Sequence, residues 1–295
     1  MTMRSHIRLT SQHWGILFIA PAVAFFLVVN ILPMLYAAFL SLHDWNLLSI
    51  QKSFVFLDNY VDLLQSSAFR RCLLNTFLYT IIIVPLSLAL GLGIALLLNA
   101  GLRAESLFRT LYFIPVVTSV VAAGYIWTWL YDPTFGFINQ SLAPLGVQLP
   151  FLKSTWMALP SIALMSVWKT LGFNVVIFLA GLQGIPRYVY EAARVDGASR
   201  WRIFSRITLP LLNPTVLFLS VIGVMHSFKI FGEVYVMSED GGPLGSTKSV
   251  VFEVVQTSFE SHRMGYGAAM TMILFVAIIA VTLIQMKLVT KEYKY

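Results

Sequence analysis

Lys169 is the sharpest chemical oddity of the chain. It sits in Ser166-Val167-Trp168-Lys169-Thr170-Leu171-Gly172-Phe173-Asn174, inside a long apolar run. An ionisable side chain at that depth of a bilayer is costly, and such residues face a cavity or find a partner. Two readings stand: Lys169 lines a path for a polar solute, or it pairs with Glu233 or a carbonyl as structure. Around it Thr170 and Asn174 offer a hydroxyl and an amide, while Trp168 and Phe173 offer flat faces for stacking. His226, Ser227, Phe228, Lys229 and Phe231 make a second patch of the same mixture, with Glu233 just beyond. The plainer reading of the aromatics is packing or interface anchoring. This chemistry recognises; it does not make bonds. The chain has no G-x-x-x-x-G-K-[ST] phosphate loop, no H-E-x-x-H and no G-x-S-x-G. Cys72 is the single cysteine, and His6, His13, His43, His226 and His262 are scattered. No catalytic residue, metal site or bound cofactor is expected, so the chain reads as a non-enzyme.

A different chemistry is written in EAARVDGASRWRIFSRITLPLLNP, residues 191–214. Glu191, Ala192 and Ala193 favour a helix and follow Pro186, a plausible opener. Gly197 interrupts, which predicts two short helices with a bend. In the second, Trp201, Ile203, Phe204 and Ile207 fall within an arc of roughly 160°. Arg202, Ser205 and Arg206 lie opposite, Arg200 intrudes on the apolar side, and Pro210 ends the pattern. Such a segment either lies at lipid headgroups or docks another protein. The short apolar stripe, the leading acid and the small residues Ala192, Ala193, Gly197 and Ala198 lean toward docking.

The elements that position these residues are membrane spans. The chain is 58% hydrophobic and 11% charged over 295 residues, against about 25% charged in soluble domains. Six apolar runs reach the roughly 20 residues that a helix needs to cross a bilayer: about 14–40, 72–98, 107–130, 159–182, 212–231 and 267–286. The ten-residue alternation of a membrane barrel is absent, so the expected class is all-α and polytopic. With the N-terminus inside, the inner segments hold twelve basic residues: Arg4, Arg8, Arg103, Arg109, Arg187, Arg194, Arg200, Arg202, Arg206, Lys287, Lys291 and Lys294. The outer segments hold seven: Lys52, Arg70, Arg71, Lys153, Lys229, Lys248 and Arg263. That imbalance predicts N-in and C-in and explains the net charge of +7 without nucleic acid, for which no motif is visible. The outer loops, about 42–71, 131–158 and 232–266, are too short for an extra domain. One membrane domain over 1–295 is expected.

The pattern E-A-A-x-x-D-G-A-x5-F-x-x-I-x-L-P-x-x-x-P, matched at Glu191, Ala192, Ala193, Asp196, Gly197, Ala198, Phe204, Ile207, Leu209, Pro210 and Pro214, resembles the EAA loop of ABC importer permeases. Ala180-Gly181-Leu182-Gln183 with Ile185-Pro186, Gly241-Gly242-Pro243 and Arg263-Met264-Gly265-Tyr266-Gly267 are similar to segments of the sugar permeases related to the maltose and glycerol-3-phosphate systems. The resemblance covers about residues 14–288. It implies a type I importer permease in the bacterial inner membrane, with an N-terminal helix 14–40, a core 68–286 and a cytoplasmic coupling loop 186–214. It implies a second homologous permease, a cytoplasmic ATPase dimer that holds ATP and Mg, a periplasmic or lipid-anchored binding protein, surrounding lipid and a carbohydrate substrate. Glu191, Ala192, Ala193, Asp196, Gly197, Ala198, Trp201 and Phe204 would then meet the ATPase. The two polar–aromatic patches fall near the substrate-contacting regions of the family, although Phe173, Phe228 and Phe231 stand where the maltose-type subunit has Tyr and Asn. Lys169 and Lys229 suggest an anionic solute, yet a similar Trp-Lys pair occurs in members that handle neutral sugars. The rival class, a secondary transporter, calls for inverted repeats, interrupted helices and mid-span carboxylates. No repeat and no mid-span acid is visible here.

Overall fold

The structure, a computed structural model, describes residues 11–49, 51–100 and 105–289. Arg4, Arg8, Arg103, Lys291 and Lys294 of the charge imbalance, together with His6, lie outside the described residues, as do the side chains of Arg109 and His13.

The chain begins as one long apolar helix. Helix α1 (Ser11–Phe26) passes through a π turn (Leu27–Ile31) into α2 (Leu32–Ser41). Proline at 33 causes the irregularity: it has no N–H to offer Val29, so the ladder slips there. A small antiparallel hairpin follows, β1 (His43–Trp45) with β2 (Lys52–Phe54), His43 facing Phe54. Then come α3 (Asp58–Gln65) and α4 (Ser67–Asn99). Ser66 caps α4 by accepting from the Phe69 amide. At about 1.5 Å per residue, the 33 residues of α4 outreach a hydrocarbon layer of about 30 Å.

Helix α5 (Glu105–Val117) and α6 (Val120–Leu130) divide what the sequence reads as one span, 107–130. They meet at 110°. Short α7 (Phe137–Leu142) leads to α8 (Ala158–Gln183), the central helix of the bundle. Helices α9 (Arg187–Val195), α10 (Arg200–Ile203) and α11 (Leu209–Leu211) form the connection to α12 (Asn213–Phe228), with a second π turn at Phe204–Thr208 ahead of Pro210. The expected span 212–231 stops short: Lys229–Phe231 leave the helix, and α13 (Gly232–Met237) starts afresh. Helices α14 (Val250–Val255) and α15 (Met264–Val289) complete the chain. Among the described residues four helices are long and apolar enough to cross a membrane, and six spans result if each of two bent pairs, α5/α6 and α10–α12, counts as one.

Packing centres on α8. Helix α4 lies along one side of it, where Gly91 leaves room for Asn174. Helix α5 lies along the other, where Gly172 faces the Tyr112 carbonyl and Val116. Helix α12 packs on α4 with Gly223 against Val84, and α15 closes the bundle on α2, α12 and α14. Glycine serves here because a larger side chain would hold the backbones apart. Three apolar clusters fill the interior, around Ile162 and Val234, around Phe69 and Phe228, and around Phe178 and Leu212.

The loop between α13 and α14 is lashed to α4. Arg71 donates to the Leu244 carbonyl, Asn75 to Gly245 and Lys248, and Tyr79 to Thr247, while the Val250 amide donates to Thr76 Oγ1. Residues 71, 75 and 79 are four apart and share one helix face.

Candidate functional site

Two adjoining hollows open between α4, α5, α8 and α12. The first, about 320 Å³, is lined by Ser87, Val116, Lys169, Thr170, Phe173, Asn174 and His226, among others. The second, about 420 Å³, is lined by Lys169, Met225, His226, Lys229, Phe231 and Glu233, among others. Lys169, Ile222 and His226 belong to both. The two polar–aromatic patches, more than fifty residues apart in sequence, therefore face one space.

The α-helical period decides which members of each patch take part. On α8, residues 169, 170, 173 and 174 point to the hollow. Trp168 does not: it packs edge-on against Trp127, ring centres 5.7 Å apart, beside the core. On α12, Ile222 and His226 follow at a spacing of four, and Lys229 joins them just past the helix end. Ser227 and Phe228 are rotated into the bundle. Ser227 Oγ donates to the Gly223 carbonyl, and Phe228 is fully buried against Phe77. Phe231 reaches the second hollow from the irregular stretch after α12. Sequence reasoning left out Ser87, Val116, Ile222 and Met225; counting four back from His226 finds Ile222, and nothing local points to Ser87.

The polar groups differ in what they have left to offer. Thr170 is turned back on its own helix, donating to Ser166 and Val167 carbonyls. Lys169 Nζ donates to the carbonyls of Pro115 and Thr118, which settles its partner as main chain and not Glu233. Glu233 is 5% exposed and stands 4.0 Å from His226 Nε2. Asn174 has no hydrogen-bond partner among the described residues, although it is buried on the hollow's wall. An amide with two donors and one acceptor, unpaired on the wall of an open hollow, is a ready partner for a hydroxyl. No group of three or more His, Cys, Asp or Glu side chains that could hold a metal occurs among the described residues.

At the far end of α8, Gly184 and Pro186 end the helix and α9 begins. The expected bend is present: Gly197 takes φ +70°, a conformation that glycine adopts freely. The Ala198 amide closes the turn onto Ala193, and Ser199 caps α10 through the Arg202 amide. Ala193 is buried inside the chain, so it is the anchor of α9 and not part of its outer face. The outer face is Tyr188, Glu191, Ala192 and Val195, at helical spacing; Tyr188 is 66% and Val195 88% exposed. Trp201, placed both on the apolar arc and among the ATPase-facing residues, is 73% exposed and stacks on Phe204. It lies in α10, ahead of the π turn at Phe204–Thr208, across which 100° per residue no longer holds. Tyr188 and Val195 were missed; the signal was their spacing of three and four from Glu191 and Ala192.

Comparison with known proteins then decides the family. The family described as binding-protein-dependent transport system inner membrane component matches residues 67–294. The chain belongs to this family of ABC importer permeases. The permease is 32% identical over 286 residues to the trehalose/maltose transport system permease protein MalF of Thermococcus litoralis, covering 97% of this chain and 96% of that one. It is 29% identical to the sn-glycerol-3-phosphate transport system permease protein UgpA of Yersinia pestis, with 95% of each chain covered. A chain of a bacterial alginate ABC transporter, solved with an alginate-bound periplasmic protein, superposes with TM-score 0.81 at 22% identity over 96% of this permease and 97% of that chain. The fold is that of the type I importers, and the permease is a transport component, not an enzyme. The break between α5 and α6 fits this fold as well as it would fit a secondary carrier, so interruption of a span does not separate the two classes.

Proposed function

We propose that this permease carries a carbohydrate or related polyhydroxylated solute across the bacterial inner membrane, as one single-domain subunit of an ATP-driven importer. Its relatives MalF and UgpA are named for trehalose/maltose and for glycerol-3-phosphate. The hollow on α8 and α12 suits such a solute. Asn174 offers an unpaired amide, Phe173 a partly exposed ring, and His226 and Glu233 further polar atoms. A second homologous permease completes the path, and a periplasmic or lipid-anchored binding protein delivers the solute. A cytoplasmic ATPase dimer binds ATP and Mg on its own chains.

The observation that carries the reading is the exposed stripe Tyr188, Glu191, Ala192 and Val195 on a short helix tied to the turn that leads into α12. Thr208 Oγ1 donates to Tyr190 Oη at 3.4 Å, Tyr190 packs on the cluster that holds Leu212, and Ala193 is buried. A push on that stripe is transmitted to α12, whose other end carries His226. Small residues allow close approach, and Glu191 supplies an acid to orient a basic partner.

The test is reconstitution with the ATPase, second permease and binding protein. Glu191→Lys is expected to leave the assembly folded and to separate ATP hydrolysis from uptake; loss of one partner of a desolvated interfacial pair costs about 2–5 kcal/mol. Normal uptake by that variant would refute the coupling role. Uphill transport by the permease alone would refute the importer reading.

A further inference from the structure

The sharp elbow between α5 and α6 lacks the usual cause at its vertex. The two residues between the helices are Thr118 and Ser119, with Ser119 extended at φ −56°, ψ 138°. In an unbroken helix the Pro115 and Thr118 carbonyls would accept from the amides of Ser119 and Ala122. The break takes both amides away. Oxygens left unpaired inside a membrane are expensive, and something must satisfy them.

Lys169 satisfies them. Its ammonium donates to both carbonyls from α8, across a separation of more than fifty residues. Three residues on, and so on the same face of α8, Gly172 lets the Tyr112 carbonyl and Val116 come into backbone contact. Lysine and glycine together form a socket for the last turn of α5. The charge also sits at that helix's C-terminus, where a cation is favoured. We infer that Lys169 is a positioning residue: it pins the α5–α6 elbow, and through the elbow it sets the wall of the solute hollow at Val116 and Val120. An ammonium engaged in this way does not select anionic solutes.

The measurement is amide hydrogen exchange over residues 110–123 in the assembled importer, with solute uptake in parallel. Lys169→Met is cheaper than lysine in a bilayer, so it folds if lysine is not needed for folding. In it, exchange over 112–123 is expected to rise by about ten-fold, from loss of a charge-assisted bond at the local opening step. Exchange in the middle of α4 stays unchanged. Lys169→Arg, which keeps the donors and the charge, restores protection. Because only the uptake arm rests on the hollow being the solute path, the two arms fail separately. Maximal uptake is expected to fall in Lys169→Met, with KM moving less than about two-fold. Unchanged exchange in Lys169→Met overturns the inference. A raised KM with unaltered exchange overturns it too, and makes Lys169 a solute ligand. If the methionine variant does not accumulate, Lys169→Leu removes the same bonds with another side chain that has no donor; wild-type exchange in it overturns the inference equally.

Discussion

Phe228 and Phe173 look alike in the sequence, and the structure separates them. Phe228 is fully buried, with its ring edge-on to Phe77 at 5.2 Å and 82°. Phe173 stands on the wall of the hollow. Truncating Phe228 to alanine empties roughly 100 Å³, and at about 24 cal/mol per Å³ the cavity term is about 2 kcal/mol. Losing the ring pair adds about 0.5–1.5 kcal/mol. The water-to-core transfer term of a soluble protein is left out, because a phenylalanine released from the bundle passes into lipid and not into water. The expected loss is therefore about 3 kcal/mol, at the low end of the soluble range. Thermal unfolding of the detergent-purified chain should show it as a fall in Tm of roughly 5–10 °C. Phe173→Ala should fall far less and should change uptake instead. If Phe228→Ala unfolds like wild type and raises the KM for solute, the assignment of the two rings is reversed and the reasoning fails.

Further outcomes are expected. Asn174→Ala should raise the KM for solute by about ten-fold, through loss of its hydrogen bonds to the solute, while leaving thermal unfolding almost unmoved; an unchanged KM removes Asn174 from the path. Val195→Asp should weaken co-purification of the ATPase subunits without altering the permease fold, and intact co-purification would take α9's outer face out of the interface. Gly172→Ala should separate α5 from α8 and cost about 1–3 kcal/mol of stability, read by the same thermal assay. Asp132, in the loop after α6, accepts the Thr134 and Phe135 amides at 2.8 Å each, and these hold its carboxyl below its ordinary 3.8. A carboxyl depressed on folding stabilises above the ordinary value and loses that contribution as pH falls through the folded value. Protection of those two amides should therefore drop in that acid window and show no such drop in Asp132→Asn, which is the measurement.

Much of the architecture was legible because bilayer thickness sets a length and the sequence shows it. The long runs became α1–α2, α4, α8 and α15 nearly as read. The α5–α6 break was not legible, because Thr118-Ser119 carries no glycine and its proline lies three residues earlier; the side chain that meets the freed carbonyls is a lysine on another helix. The stop at Phe228 was hidden for a similar reason, since Lys229-Ile230-Phe231 reads on as an apolar run. In the candidate site, residue type pointed to two patches that the fold brings to one space, and only helical phase told Phe173 from Trp168, or His226 from Phe228. The bend at Gly197 was readable from one residue. The phase of Ile207 was not, because that residue lies within the π turn at Phe204–Thr208.

The fastening of the 238–249 loop has a mechanical consequence. Three anchors in register, Arg71, Asn75 and Tyr79, make that loop a passenger of α4. Any tilt of α4 must carry the loop along at full amplitude. Leu244, 82% exposed at the loop's tip, thus offers a water-side handle for reading a helix that otherwise lies out of reach in lipid.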